Sequence, residues 1–305
     1  MPKTVSVVIP THERPKQLFS LLSSLRDARI PELEKIVVVD DSRVQTSLET
    51  DFPDLPLDVV FLPQRVFISR AKNLGWRRSH SDFVYFVDDD NVVTKDTIRL
   101  PLEIIAARSE IGAIVPAVLY FRRPEIVWVY STPWAPGRWG HSLLGRNLPR
   151  DPSLEGQLCN TDAMPNAALV RRRALEDIGG FNEALIVNSS ADAALRLKNA
   201  GWGVYAHTGS FIYHDVEPPG RIGYWAQHGI ADPTRVYYEL RDWFSFMHSL
   251  HRDEGFFRMR ATLHASGFML PNALSYLLVG GSRGRNLLKE MLRGYLSSLK
   301  TPSRG

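Results

Sequence analysis

The stretch Phe83-Val84-Tyr85-Phe86-Val87-Asp88-Asp89-Asp90-Asn91 sets five apolar residues directly against three carboxylates. A short apolar run rich in aromatic and β-branched residues fits a strand buried on both faces. Four more such runs lie within the first 118 residues, at 5–9, 36–39, 59–62 and 113–118. Between them the apolar residues take helical spacing, as in Leu18, Leu21, Leu22 and Leu25, or Leu100, Ile104 and Ile105. Buried strands alternating with helices predict an α/β fold with a mostly parallel sheet covered on both faces. Ligands bind such sheets in the crevice beyond the carboxyl ends of the strands. The unusual residues fall at those ends: Pro10-Thr11-His12-Glu13, Asp40-Asp41-Ser42 and Asp88-Asp89-Asp90-Asn91.

The rest of the chain is read outward from this half. Residues 119–165, with Trp128, Trp134 and Trp139, read as loops and short strands over the crevice. Residues 167–205 read as strand, loop and helix, broken at Gly179-Gly180 and stopped at Gly201. From 236 onward the pattern is helical, giving an expected division into 1–235 and a helical, basic, amphipathic extension at 236–305.

Residues 261–282 carry no formal charge but include Pro271 and several glycines, which favours a buried or interfacial hairpin over a membrane span. Leu287, Leu288, Met291, Leu292, Tyr295, Leu296 and Leu299 form one helical stripe that either docks on the sheet domain or lies on a membrane surface.

Composition narrows the function classes. At 305 residues and 44% hydrophobic, the chain can bury a large core without staples. Its single cysteine, Cys159, excludes an internal disulfide and a cysteine metal cluster. The N-terminus enters a strand-like run without a basic-then-apolar leader, so a cytoplasmic location is expected. The net charge of +4 is uneven: residues 251–305 hold nine Lys/Arg and three Asp/Glu, a net of +6. A basic tail suggests peripheral contact of 284–305 with the cytoplasmic membrane face. Nucleic acid is not expected, because no basic–aromatic stripe lies near the crevice.

Carboxylates two apart on an extended segment project to one side, so Asp88 and Asp90 can face one Mg²⁺ or Mn²⁺ ion. An acidic turn or a helix cap before residues 94–107 is the competing reading. Taken together, several motifs weigh against it. These are Ser6-Val7-Val8-Ile9-Pro10-Thr11-His12-Glu13-Arg14-Pro15, Ile36-Val37-Val38-Val39-Asp40-Asp41-Ser42, Ser69-Arg70-Ala71-Lys72-Asn73-Leu74-Gly75 and the Asp88-Asp89-Asp90 DXD stretch. Asn166 to Glu183, and Leu195-Arg196-Leu197-Lys198-Asn199-Ala200-Gly201-Trp202, continue the series.

In order and spacing these motifs resemble the inverting, GT-A-fold glycosyltransferases often called family 2, over roughly residues 4–245. The resemblance implies a Rossmann-like GT-A domain that binds a nucleoside-diphosphate sugar (UDP, GDP or dTDP) with Mg²⁺ or Mn²⁺ as cofactor. It places Pro10, Thr11, His12 and Glu13 around base and ribose, Asp41 on the base edge and Arg70 at the base or phosphates. Asn73 falls in the same loop, as a ligand contact or a support. Asp88 and Asp89 take the nucleotide-sugar positions, with Asp88, Asp90 and His214 as the metal set. The segment at 237–242 resembles relatives that build surface polysaccharides or glycolipids, so a glycan or lipid-linked acceptor is expected, stacked on Trp134, Trp139 or Trp202.

One departure stands out. Inverting transfer needs a carboxylate to take the acceptor proton. The family's acidic pair falls on Ser189-Ser190 here, and only Asp192 of the acidic trio remains. Asp192 is the expected catalytic base, with Glu183 or Asp162 as substitutes; a retaining or inactive protein is the alternative. A nucleotidyltransferase is disfavoured, because residues 10–15 contain no glycine.

Overall fold

The computed structural model describes residues 3–44, 48–135, 140–217, 233–250, 257–279 and 281–300. These fall into two compact units, one of residues 1–184 and 189–218, the other of residues 185–188 and 219–305.

The first unit runs β1 (Val5–Thr11), α1 (Pro15–Ala28), β2 (Leu33–Asp40), α2 (Leu48–Asp51), β3 (Leu57–Phe61), α3 (Phe67–Arg77) and β4 (Phe83–Val87). It continues through β5 (Asn91–Val92), α4 (Lys95–Ala107), β6 (Ile111–Tyr120), β7 (Arg123–Val129), β8 (Trp134–Ala135) and β9 (Gly140–His141). Then come β10 (Leu158–Asn160), β11 (Ala167–Arg171), α5 (Arg172–Asp177), α6 (Ser189–Asn199) and β12 (Gly203–His214).

The main sheet has the order β10-β12-β6-β11-β4-β1-β2-β3, with β5 beside β12 and β7 beside β6. β3, β2, β1 and β4 are mutually parallel, as the apolar runs predict. β11 is inserted antiparallel between β4 and β6, making the sheet mixed. Alternate residues serve opposite faces, as the strand period of two requires. Val7, Val38 and Tyr85 join one cluster with Leu21, Leu22 and Ile105, whereas Val8, Val37 and Phe86 join another with Trp76, Leu175 and Leu197. Helices therefore cover both faces.

The register aligns the carboxyl ends. Thr11 pairs with Asp40 across β1 and β2, so both loops leave the sheet at one edge. β12 returns alongside β6 and ends on β5, where His214 pairs with Asn91. This register carries His214 to the end of β4 from more than a hundred residues away.

In the second unit, α7 (Pro233–Leu250), α8 (Phe257–Val279) and α9 (Gly281–Lys300) share a core of Val236, Leu240, Tyr276, Leu287 and Met291. Gly294 permits the α7–α9 approach, since a Cβ there would stand 2.3 Å from the Tyr237 carbonyl oxygen. Asp242 on α7 accepts the backbone N–H of Ile186 and Val187, at 2.6 and 2.8 Å, which ties residues 185–188 to this unit. The expected boundary after 235 lies inside α7, whereas the two units divide at 218/219. The stripe on 287–296 divides: Leu287 and Met291 are buried among the helices of this unit, while Leu292 and Leu296 stay exposed. No helix among the described residues is long and apolar enough to cross a membrane.

Gly75 on α3 lies against β1, and a Cβ there would meet Val8 Cγ1 at 2.3 Å. Gly75→Ala should destabilise the fold by about 1–3 kcal/mol, the usual cost of overpacking a close contact. Urea unfolding measures it, and an unchanged midpoint would refute the close approach.

Candidate functional site

Two loops at the carboxyl edge are locked together. Glu13, at φ 55°, turns the chain out of β1, and its N–H donates to Ser42 Oγ at 2.7 Å. In return the Arg43 N–H donates to Glu13 Oε1 at 3.0 Å. Between them the buried Asp41 carboxylate accepts from Val66 N–H at 2.7 Å and Phe67 N–H at 3.1 Å, which anchors the start of α3. Its other oxygen lies 2.8 Å from His12 Nδ1. A carboxylate offers about four lone-pair sites. Three are thus taken here, and His12 keeps Nε2 as its ring nitrogen for a ligand. Pro10 is buried beneath this pair of loops, and Arg70 stands exposed on the first turn of α3.

The three carboxylates after β4 have three different environments. Asp88 Oδ1 lies 3.2 Å from the ammonium of the buried Lys72, an ion-pair contact off the hydrogen-bond direction. Asp89 is buried, with Thr11 Oγ1 donating to it at 2.7 Å and Arg14 at 3.1 Å. Burial pushes its carboxyl up to about 6, against the pull of Thr11 and Arg14. Asp90 receives Arg14 at 2.7 Å and has His214 Nε2 at 3.5 Å. Burial raises its pKa, but His214 and Arg14 outweigh it, and Asp90 titrates below the ordinary carboxylate range.

These positions do not bring Asp88, Asp90 and His214, the expected metal set, together as one group. β4 ends at Val87, and Asp88 to Asp90 enter a turn, so side chains two apart no longer share a side. Among the described residues no three His, Cys, Asp or Glu side chains gather closely enough to hold an ion. Asp90 and His214 remain as neighbours, while Asp88 faces Lys72. The pair does fit a divalent cation: a hard oxygen, an imidazole nitrogen, and a buried His214 Nδ1 with no protein partner. The Trp128 ring meets His214 edge-on at 5.4 Å, and the Arg146 guanidinium lies 4.0 Å over that indole.

Other expected residues have different work. Asn73 uses its whole amide: Nδ2 donates to Phe181 O and Glu183 Oε1, and Oδ1 accepts from Phe181 N and Trp76 Nε1. Gly180, at φ 83°, passes so close that a Cβ would stand 2.4 Å from Asn73 Oδ1. Asn73 is therefore a support for the Gly180–Phe181 turn, not a ligand contact. Asp192 sits buried in the first turn of α6, with Arg196 Nε donating to Oδ2 at 2.8 Å, which leaves Oδ1 outside that contact. Asp162 is held by Lys198 at 2.5 Å and by Trp134 N–H at 2.6 Å. Trp202 precedes β12 at the amino edge of the sheet and donates to Asp177, so its expected acceptor role is withdrawn. Trp139 lies outside the described residues.

Sequence reasoning passed over Arg14, Lys72 and Trp128. Arg14 and Lys72 lie within the 6–15 and 69–75 motifs, and two cations beside an edge lined with acids are the available signal. Nothing in the sequence pointed Trp128 at His214.

The family model for glycosyl transferase family 2 matches residues 6–179. A curated relative, the pre-mycofactocin glycosyltransferase of Mycobacterium tuberculosis, is 27% identical over 218 residues, covering 70% of this chain and 43% of that protein. The chain thus spans under half the length of that relative. Among solved structures, the mannosyltransferase PcManGT from Pyrobaculum calidifontis, in complex with GDP-Man and Mn²⁺, aligns with a TM-score of 0.58 at 15% identity. That alignment covers 98% of this chain and 88% of that one. TarS 1–349 of S. aureus with UDP-GlcNAc aligns with a TM-score of 0.56 at 17% identity, covering 96% and 73%. At these identities the likeness establishes the fold, the GT-A form of the α/β class.

Asn73→Ala should cost about 1–3 kcal/mol of stability, because it strands buried partners at Phe181 and Trp76. Denaturant titration measures the loss. Stability equal to the parent would remove the support role.

Proposed function

The chain belongs to glycosyl transferase family 2, and we propose that it moves a sugar from a nucleoside diphosphate to a hydroxyl on a glycan or lipid-linked acceptor. The observation that supports this best is the Asp90–His214 pair, 3.5 Å apart, at the same strand edge as the Asp41–His12 pair. One pair suits the diphosphate end of a donor and the other its base end.

Asp41 orients His12 and keeps one acceptor site for a ring N–H of uracil, thymine or guanine. Pro10, Thr11 and Glu13 shape the ribose side, and Arg70 can swing toward the phosphates from its exposed place on α3. Asp90 and His214 would hold Mg²⁺ or Mn²⁺, which offsets the charge a diphosphate gains as the sugar–phosphate bond breaks. Arg14 and Lys72 hold Asp89, Asp90 and Asp88 in place against their mutual repulsion. A donor of the GDP-Man or UDP-GlcNAc kind, as in the two aligned structures, matches this division of labour.

We assign the acceptor proton to Asp192 Oδ1 in an inverting transfer, with Arg196 fixing the carboxylate through Oδ2. The burial of Asp192 favours a second reading, in which the protein retains configuration or binds the donor without turnover.

UDP-, GDP- and dTDP-sugars, each with and without Mn²⁺, should separate in a thermal-shift screen. The matching donor at a hundred times its Kd stabilises the fold by about 2.7 kcal/mol. Asp90→Asn should remove the Mn²⁺-dependent part. Stabilisation by no sugar nucleotide would overturn the donor assignment.

Asp192→Asn should lower transfer about 10²–10⁴-fold, the typical worth of a general base, with donor stabilisation unchanged. Parental transfer in that variant would exclude Asp192 as base. Donor hydrolysis or transfer by the parent would exclude the non-catalytic reading.

A further inference from the structure

Helix α8 (Phe257–Val279) carries two opposed faces within the second unit. Asn272 and Tyr276 are buried, and Met269 and Ala273 pack beside them against the core of Leu287 and Met291. On the other side Leu263, Leu270, Leu274, Leu277 and Leu278 are 63–89% exposed. At about 100° per residue these five leucines fall within an arc of about 100° around the helix axis. Gly267, also exposed, lies within the same arc. Scattered exposed leucines are ordinary, but a continuous stripe of five on one helix face is not.

We propose that this leucine stripe lies in the interface of an anionic lipid surface. The occupant follows from charge. Helix α9, packed against α8, exposes Arg283, Arg285 and Lys289, with Leu292 and Leu296 on the same exposed side as Arg285 and Lys289. The tail from residue 251 carries a net +6 within a chain of +4. A second copy meeting this face would bring like charge to like charge, whereas anionic headgroups complement it. No described helix is long and apolar enough to span a bilayer, so the helix lies along the surface. The surface contact expected of 284–305 thus extends to α8: Leu287 and Met291 are buried in their own unit, while Leu292 and Leu296 stay exposed beside the basic residues of α9.

Co-sedimentation of the full chain with phosphatidylglycerol–phosphatidylcholine vesicles tests this. The chain should pellet with anionic vesicles at low salt, at least tenfold more than with phosphatidylcholine alone, and less as salt rises. Leu270→Glu with Leu274→Glu should reduce binding more than tenfold, and the milder Leu274→Ala with Leu277→Ala should reduce it partly. Circular-dichroism melting and sugar-nucleotide stabilisation should stay at parental values in both pairs. These two readouts separate this surface from the donor site, since either can fail alone. A parental chain that stays in the supernatant overturns the proposal. So does leucine-independent pelleting. Loss of a dimer in the leucine variants, seen by sedimentation without vesicles, would assign the stripe to a second copy instead.

Discussion

Three carboxylates at the end of one buried strand repel each other, and the guanidinium of Arg14 between Asp89 and Asp90 is what lets them stand together. Burying an acid is costly unless it is paired or protonated. Arg14 meets that cost from the turn after β1, while Lys72 meets it for Asp88 from α3. The two cations therefore bind the β1 and β4 ends and α3 to one edge. The crevice depends on this arrangement, because each loop that shapes it is fastened to another. Remove the acids and the cations lose their partners; remove the cations and the turn after β4 keeps its hydrogen bonds to Thr11, Asn91 and Asn166 but loses the compensation of its charge.

The sheet was legible because burial on both faces leaves a simple mark, a short run of Val, Ile and Phe with no alternation. Residues 5–9, 36–39 and 83–87 carry that mark; 83–87 is β4 to the residue, while β1 runs on to Thr11 and β2 spans Leu33–Asp40. β11 carries it too, as Ala167 to Val170, but a run of apolar residues says nothing about direction. Its antiparallel insertion follows from where the chain returns, which is a tertiary fact.

The site was legible only as a location. Strand ends told which residues would gather, since the register aligns Thr11 with Asp40 and brings His214 beside Asn91. Side-chain partners were not readable, and this is where the expectations changed. Asp88 and Asp90 were assigned to one side by strand periodicity, yet the strand stops one residue before them. Asn73 shared a motif with Arg70, but position 73 faces inward on α3 and position 70 outward. A motif names both residues without recording which way each points. The chemistry of Trp202 suits a sugar face, but its place at the amino edge removes it from the crevice.

The serine pair at the opening of α6 belongs to the same lesson. Asn188, at φ 62°, turns the chain into Ser189, a conformation that asparagine tolerates better than most residues. Ile186 and Val187, shortly before the serines, are fastened by Asp242, whose carboxylate accepts both backbone N–H groups. Burial pushes the Asp242 carboxyl above its ordinary range, and those N–H groups and Arg241 pull it back. An acidic residue at 189 or 190 would add charge beside Asp192, which already has its cation in Arg196. With serines there, Arg196 answers to a single carboxylate. The helix opening thus carries one acid and one cation where the family resemblance leads one to expect several acids.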